Sequence, residues 1–217
     1  MAGAGHSQRD RAFPLTFTVV MTVLVVVPQF ISVPFTMNVL NLFCIWSIMG
    51  LGWNFIGGYT GQVSNGHALF FAVGAYVGGL SLKWYGLTPW ISMWLGVIIA
   101  GAMAYVIGKP LLRLRGHYFA IATMALVECA RIIFLNWNWI GGATGVSFQM
   151  RRLSPWFTMQ FKSKHDFYYI CLGFLALFII LTRMMERSKF GYCCRAIKAN
   201  QESAESSGVD AARYKRR

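Results

Sequence analysis

Charge is scarce in this 217-residue sequence, and negative charge is scarcest of all. Only 12% of the residues are Asp, Glu, Lys or Arg, and just seven of them are acidic. Soluble domains are typically about 25% charged, whereas 56% of this chain is hydrophobic. Because so few polar residues are available to face water, the composition excludes an ordinary soluble domain and predicts an integral membrane protein.

Signatures of metal, cofactor and enzyme sites are also missing. None of the five cysteines stands in a CxxC or Cys/His spacing that would hold a metal, and no glycine-rich loop ends in the Gly-Lys-Ser/Thr of phosphate-binding loops. Ser64 and His67 lie three residues apart, but Gln62 breaks the G-x-S-x-G elbow and no carboxylate follows to orient the histidine. We expect no catalytic residue, no metal and no cofactor; an intramembrane protease is the third-ranked hypothesis.

Apolar runs of membrane-spanning length fill most of the chain. At about 20 residues per crossing, the predicted spans are about 15–33, 37–56, 68–82, 89–108, 118–135 and 167–184. Pro28 and Pro34 are expected to kink or end the first span, for which a signal peptide is the alternative. The fold class is therefore all-α, a polytopic membrane helix bundle of about six transmembrane helices. The expected division is a transmembrane domain at 1–185 and a cytoplasmic tail at 186–217.

The lysine and arginine residues that give the net charge of +13 lie beside the predicted spans and do not form a nucleic-acid-binding patch. With a cytoplasmic N-terminus, 14 Lys and Arg residues fall on the inner side and five on the outer side, while Arg131 lies within the fifth span. Cytoplasmic loops of membrane proteins are enriched in Lys and Arg. We therefore expect both termini in the cytoplasm, the lipid bilayer as a partner, and no nucleic acid.

A polar, glycine-rich stretch precedes the third predicted span. Seven of residues 57–79 are glycine, and the apolar part that follows covers only about 22 Å, less than the hydrocarbon core. Residues 57–67 are therefore interpreted as a re-entrant segment, which at membrane depth must be buried in protein or line an aqueous cavity; an ordinary turn is the alternative. The candidate residues of a solute path here are Gly61, Gln62, Ser64, Asn65 and His67.

Two ionisable residues lie within the fifth predicted span. Glu128 and Arg131 stand three apart, so they can pair on one helix face. Ionisable groups at such depth are costly and often functional, so both join the candidate solute path. The alternative is that Arg131 reaches the outer interface and Glu128 neutralises it.

Stripes of small residues run along two predicted spans. They indicate close helix packing, because small side chains let helix backbones approach each other in lipid. The stripe on the third span is Ala68, Ala72, Ala75 and Gly79, and that on the fourth is Gly96, Ala100, Ala104 and Gly108.

The basic tail contains a short predicted helix at 201–207, between an N-cap at Asn200 and a stop at Gly208. A helix of about two turns is unstable alone, so this one needs a partner surface. A disordered basic tail is the alternative.

Four segments, taken together, carry a family resemblance. In order and approximate spacing they resemble LivM-type permeases of ABC importers for branched-chain amino acids and related solutes, over about residues 40–215. The resemblance implies a permease subunit of the bacterial inner membrane with two ATPase subunits, a second homologous permease and a periplasmic solute-binding protein as partners. The segments are GYTGQVSNGHALFFAVGAYVGG, LRLRGHYFAIATMALVECARII, GGATGVS and SKFGYCCRAIKANQESAESSGVDAARYK.

The resemblance also assigns a role to the tail helix. ESAESSG looks like the E-A-A-x-x-x-G coupling motif, with Ser203 in place of the first alanine, and this helix would dock on an ATPase subunit. Since family members continue with further spans, the sequence is expected to be truncated or frameshifted. A non-transporting membrane anchor subunit is the alternative function. The expected coupling residues are Glu202, Ser203, Ala204, Glu205 and Gly208.

Overall fold

The computed structural model describes residues 4–31, 33–114, 116–146, 159, 161 and 163–199. Within these ranges the chain forms α-helices joined by short segments and 3-10 turns, with no strand, which confirms the all-α fold class. The helices are α1 (Ala4–Val26), α2 (Pro34–Thr60), α3 (His67–Tyr85), α4 (Pro89–Leu111), α5 (His117–Asn136), α6 (Lys164–Arg187) and α7 (Lys189–Ala199).

Four of the described helices, α2, α4, α5 and α6, are long and apolar enough to cross a membrane. α1 contributes a shorter apolar stretch, Pro14–Phe30, and α3 has 19 residues. A helical membrane bundle is thus confirmed, and four of the six predicted spans meet the length and apolarity of a crossing.

Prolines mark the boundary between the first two helices, as predicted. α1 gives way to a 3-10 turn, Val27–Phe30, that contains Pro28, and α2 begins at Pro34. Proline suits these positions because it lacks an N–H donor and its fixed φ matches a first helical residue.

The polar stretch between α2 and α3 is shorter than predicted. α2 continues through Gly57 to Thr60, and α3 runs from His67 to Tyr85. The 19 residues of α3 correspond to about 28 Å, close to the thickness of a hydrocarbon core. The predicted non-helical stretch at 57–67 is therefore too long, since residues 61–66 alone lie outside the helices. That this segment is re-entrant stays a prediction.

The chain divides into two compact units, of which the first comprises residues 1–48 and 161–180. In its core the fully buried Tyr168 donates its hydroxyl to the carbonyl oxygen of Leu24 at 2.9 Å. Because a buried hydroxyl needs a partner, this bond joins α6 to the end of α1. The expected division at residue 185 follows membrane topology rather than compactness and stays a prediction.

The second unit comprises residues 49–160 and 181–217, and α3 and α4 form its central pair. A β-carbon at Gly96 would lie 3.1 Å from the carbonyl oxygen of Gly74, so the two backbones meet here. Close packing through small residues is confirmed at Gly96. On α3 the contact is made by Gly74 rather than by the predicted stripe, in which Ala68 and Ala75 are exposed.

α7 is a helix that the sequence pattern did not predict, at the start of the basic tail. Gly191, Cys194 and Ile197 recur every three residues and are buried, while Lys189 and Tyr192 are exposed. A β-carbon at Gly191 would overlap the carbonyl oxygen of Met185. α7 therefore packs one face against the end of α6. The predicted helix at 201–207 lies outside the described residues.

Gly96→Val is expected to force α3 and α4 apart, because the new side chain meets the Gly74 backbone rather than a movable side chain. Overpacking of this kind typically costs about 1–3 kcal/mol. Gly101→Val is the matched control on the same helix, since a β-carbon there meets nothing within 4 Å. Thermal unfolding in detergent should show a lower midpoint for Gly96→Val alone. Equal losses in both variants would mean that the contact does not limit stability.

Cys194 is expected to react slowly with a water-soluble maleimide. Burial, with a smaller contribution from Cys193, raises the pKa of the Cys194 thiol, and the thiolate is the reactive form. The partly exposed Cys193 should react faster. In nanodiscs, intact-mass measurements should show that Cys193→Ser removes a fast-reacting thiol and that Cys194→Ser retains it. Persistence of that fast thiol in Cys193→Ser would contradict the packing of α7.

Candidate functional site

The second compact unit contains a cavity of about 610 Å³. Its size falls within the range of about 300–1,000 Å³ that is usual for small-molecule sites. The walls come from the end of α2, residues 61–66, Phe70 of α3, one side of α4, the first half of α5, the end of α6, and α7. We call residues 61–66 the break.

The break begins at a glycine that the geometry requires. Gly61 has φ +72°, a left-handed conformation that glycine adopts without the steric cost of a side chain. A β-carbon there would also lie 3.0 Å from Cγ of Lys198 on α7. Gly61 therefore turns the chain out of α2 at a point where the side chain of Lys198 approaches closely.

Two predicted path residues, Gln62 and Ser64, are buried and line the cavity. The Ser64 hydroxyl accepts a hydrogen bond from the Gly66 N–H at 3.3 Å, and the Ser64 carbonyl accepts one from Nε1 of Trp53 at 2.8 Å. The hydroxyl thus closes a local turn ahead of α3. Among the described residues, no donor reaches the buried Oε1 of Gln62.

The other predicted residues of the break have different surroundings. The exposed Asn65 donates its backbone N–H to Oγ1 of Thr123 at 3.2 Å, which joins the break to α5. His67 is the first residue of α3 and is half-buried. Gly61, Asn65 and His67 do not line the cavity. The five predicted residues therefore lie close together, but of these five only Gln62 and Ser64 line the cavity.

Glu128 and Arg131 lie elsewhere on α5. Nε of Arg131 donates to Oε2 of Glu128 at 2.9 Å, and the side chains of Arg131 and Glu128 are 57% and 55% exposed, respectively. The predicted pairing on one helix face is present. Neither residue lines the cavity, so the structure separates this pair from the break, and its role in a solute path stays a prediction.

Sequence reasoning missed the contributions of α4 and α7 to the cavity. Ala104 and Gly108 were interpreted as packing residues, yet both line the cavity, as do Phe190 and Cys194 of α7. The spacing of small residues identified the correct face of α4. It could not distinguish residues that pack against a helix from residues that line a cavity. The expected coupling residues at 202–208 lie outside the described part of the chain.

Comparison with known proteins gives consistent matches. The family described as the permease component of branched-chain amino acid transport systems matches residues 35–216. The chain is 30% identical to the high-affinity branched-chain amino acid transport system permease protein LivM of Escherichia coli (strain K12), over 92% of this chain and 52% of that protein. The LivM protein of Salmonella typhimurium is 28% identical, with the same coverage.

The chain spans about half the length of these curated relatives. No solved structure matches it. Because the family match covers most of the sequence, from residue 35 to residue 216, the chain belongs to the permease components of branched-chain amino acid transport systems.

Proposed function

We propose that the chain acts as a membrane permease subunit of an ABC importer for branched-chain amino acids or related small polar solutes. It lies in the bacterial inner membrane with both termini in the cytoplasm. ATP is hydrolysed by two separate ATPase subunits, and this chain contributes no catalytic residue. The family match and the four long apolar helices support this function.

The observation that carries the proposal is the cavity beside the break. Transporters place interruptions of membrane helices at their substrate sites. Gln62, Ser64, Thr123 and Lys109 supply polar groups to a wall that is otherwise largely apolar and includes Phe55 and Leu126. Such a wall suits a small solute with an aliphatic body and a polar head.

Gln62 is the residue that we assign to the polar head of the solute. Its Oε1 is a buried acceptor without a donor among the described residues, and buried acceptors are normally paired. The ammonium or amide group of a solute would supply the missing donor. The other predicted path residues, Gly61 and Asn65 of the break and His67 of α3, would hold the backbone in place rather than contact the solute.

The exposed pair on α5 supports the presence of a second permease. Glu128 and Arg131 satisfy each other but are more than half exposed, and ionisable groups facing lipid are costly. A second homologous permease would cover this face, with the solute path between the two subunits. A periplasmic binding protein would deliver the solute, and the residues at 202–208 would dock on an ATPase subunit.

Filling the cavity is expected to block transport. Ala104→Trp adds a large side chain to its wall, whereas Val106→Trp changes a position on the same helix that is 67% exposed. With the chain reconstituted with its ATPase subunits and binding protein in proteoliposomes, uptake of radiolabelled leucine should fall about tenfold or more in Ala104→Trp, equivalent to at least about 1.4 kcal/mol.

The control variant, Val106→Trp, should retain leucine uptake. Co-purification of the ATPase subunits, measured for both variants, shows whether the complex still assembles. Normal uptake by Ala104→Trp would place the solute path elsewhere. A complex that assembles fully but takes up no leucine even with the unchanged chain would favour the anchor subunit instead.

A further inference from the structure

The C-terminal end of α2 is capped by a lysine from α7. Nζ of Lys198 donates to the carbonyl oxygen of Gly58 at 2.8 Å. α2 ends at Thr60, so this carbonyl is one of the last four, which have no partner within their own helix. A cation is favoured there because the C-terminal end of a helix carries partial negative charge. Lys198 thus joins α7 directly to the end of α2.

A second set of bonds joins the same end of α2 to α6. The buried Tyr59 donates its hydroxyl to Oε1 of Glu186 at 2.7 Å, and NH1 of Arg183 donates to Oε2 of that carboxylate at 2.8 Å. Hydrogen bonds to an ionised carboxylate are stronger than those between neutral groups. α7 begins shortly after Glu186, at Lys189. The end of α2 is therefore held by the C-terminal end of α6 and by the C-terminal end of α7.

Lys198 also touches the break itself. Its Cγ lies 3.0 Å from where a β-carbon of Gly61 would be, so its aliphatic stem fills the space beside the first residue of the break. From Gly61 the backbone continues directly to Gln62 and Ser64 in the cavity wall. At the far end of the break, the Asn65 N–H is bonded to Thr123 of α5. One end of the break is thus attached to α7 and the other to α5.

α7 is also part of the cavity wall, through Phe190 and Cys194. A displacement of α7 relative to α5 would therefore act on the cavity twice, by moving these two side chains and by pulling Gly61 through Lys198. In sequence, α7 ends at Ala199, directly before the predicted coupling segment at 202–208. Movement imposed on that segment would reach α7 first.

We infer that Lys198 is a positioning residue that joins α7 to the break, so that movement of α7 changes the width of the cavity at Gln62 and Ser64. This inference rests on the proposed function and identifies the connection between ATP hydrolysis and the solute path. Lys198 does not contact the solute; it acts through the backbone of Gly58 and Gly61.

The test compares three variants of α7. Lys198→Met keeps most of the aliphatic stem and removes the ammonium group, and Lys198→Arg restores a cationic donor. Lys189→Met is the matched control, because Lys189 is an exposed lysine at the opposite end of the same helix. Any general effect of removing a positive charge from α7 should appear in the control as well.

The first measurement is hydrogen exchange of the backbone amides at 61–66 in the purified chain. Loss of one hydrogen bond, worth roughly 1 kcal/mol net, should speed their exchange about fivefold in Lys198→Met. Lys198→Arg and Lys189→Met should exchange at the unmodified rate. Unchanged exchange in Lys198→Met would refute the attachment of α7 to the break, whatever the chain transports.

The second measurement is leucine uptake per ATP hydrolysed by the reconstituted importer. Lys198→Met should lower this ratio about fivefold, in proportion to the loosened attachment, and Lys198→Arg should restore it. Faster exchange with an unchanged ratio would refute the role of Lys198 in coupling. If the unmodified chain takes up neither a branched-chain amino acid nor a related small polar solute, the proposed function itself fails and the coupling role fails with it.

Discussion

The structure depends on one constraint: backbone polar groups that leave a helix inside a membrane protein must find partners within the protein. The break at 61–66 meets this constraint with groups from three places. Trp53 of α2 donates to the Ser64 carbonyl, Thr123 of α5 accepts from the Asn65 N–H, and the Ser64 hydroxyl accepts from Gly66. The first two bonds attach α2 and α5 to the break, and the third closes a turn within the break.

The same requirement explains why a basic helix packs at the end of α2. The last carbonyls of α2 need donors, and Lys198 supplies one to Gly58. Tyr59 finds its partner in Glu186 rather than in water. α7 buries Cys194 and Ile197, while the ammonium group of its Lys198 reaches the end of α2. Lysine can do this because its aliphatic stem packs against the protein while its charged head extends to a polar partner. Part of the basic tail, α7, therefore belongs to the packed structure.

The sequence predicted the helices whose position depends on local pattern. It failed to predict helix ends and the helix α7, which depend on contacts with other parts of the chain. Long apolar runs located α2, α4, α5 and α6 because length and composition define a membrane crossing. The glycines at 57 and 58 suggested that the helix had already ended, yet α2 continues through them to Thr60, beside Tyr59 and its bond to Glu186. α7 was missed because a helix of 11 residues depends on tertiary contacts such as the bond from Lys198 to Gly58 of α2, which periodicity in a basic tail does not reveal. Likewise, the spacing of small residues on α4 is the same whether they face a helix or a cavity.

Polar groups in this chain fall into two classes that have different consequences. Those of the break lie beside the cavity that we propose as the solute route. Ser64 and Asn65 form hydrogen bonds within the same unit, whereas Oε1 of Gln62 has no donor among the described residues. Glu128 and Arg131 are satisfied only by each other among the described bonds and remain more than half exposed on α5. Pairing reduces but does not remove the cost of placing two charges against lipid. A surface of this kind is stable in a membrane when another protein or a water-filled passage covers it. In the function that we propose, a second permease covers the pair on α5, whereas the polar groups of the break face the solute.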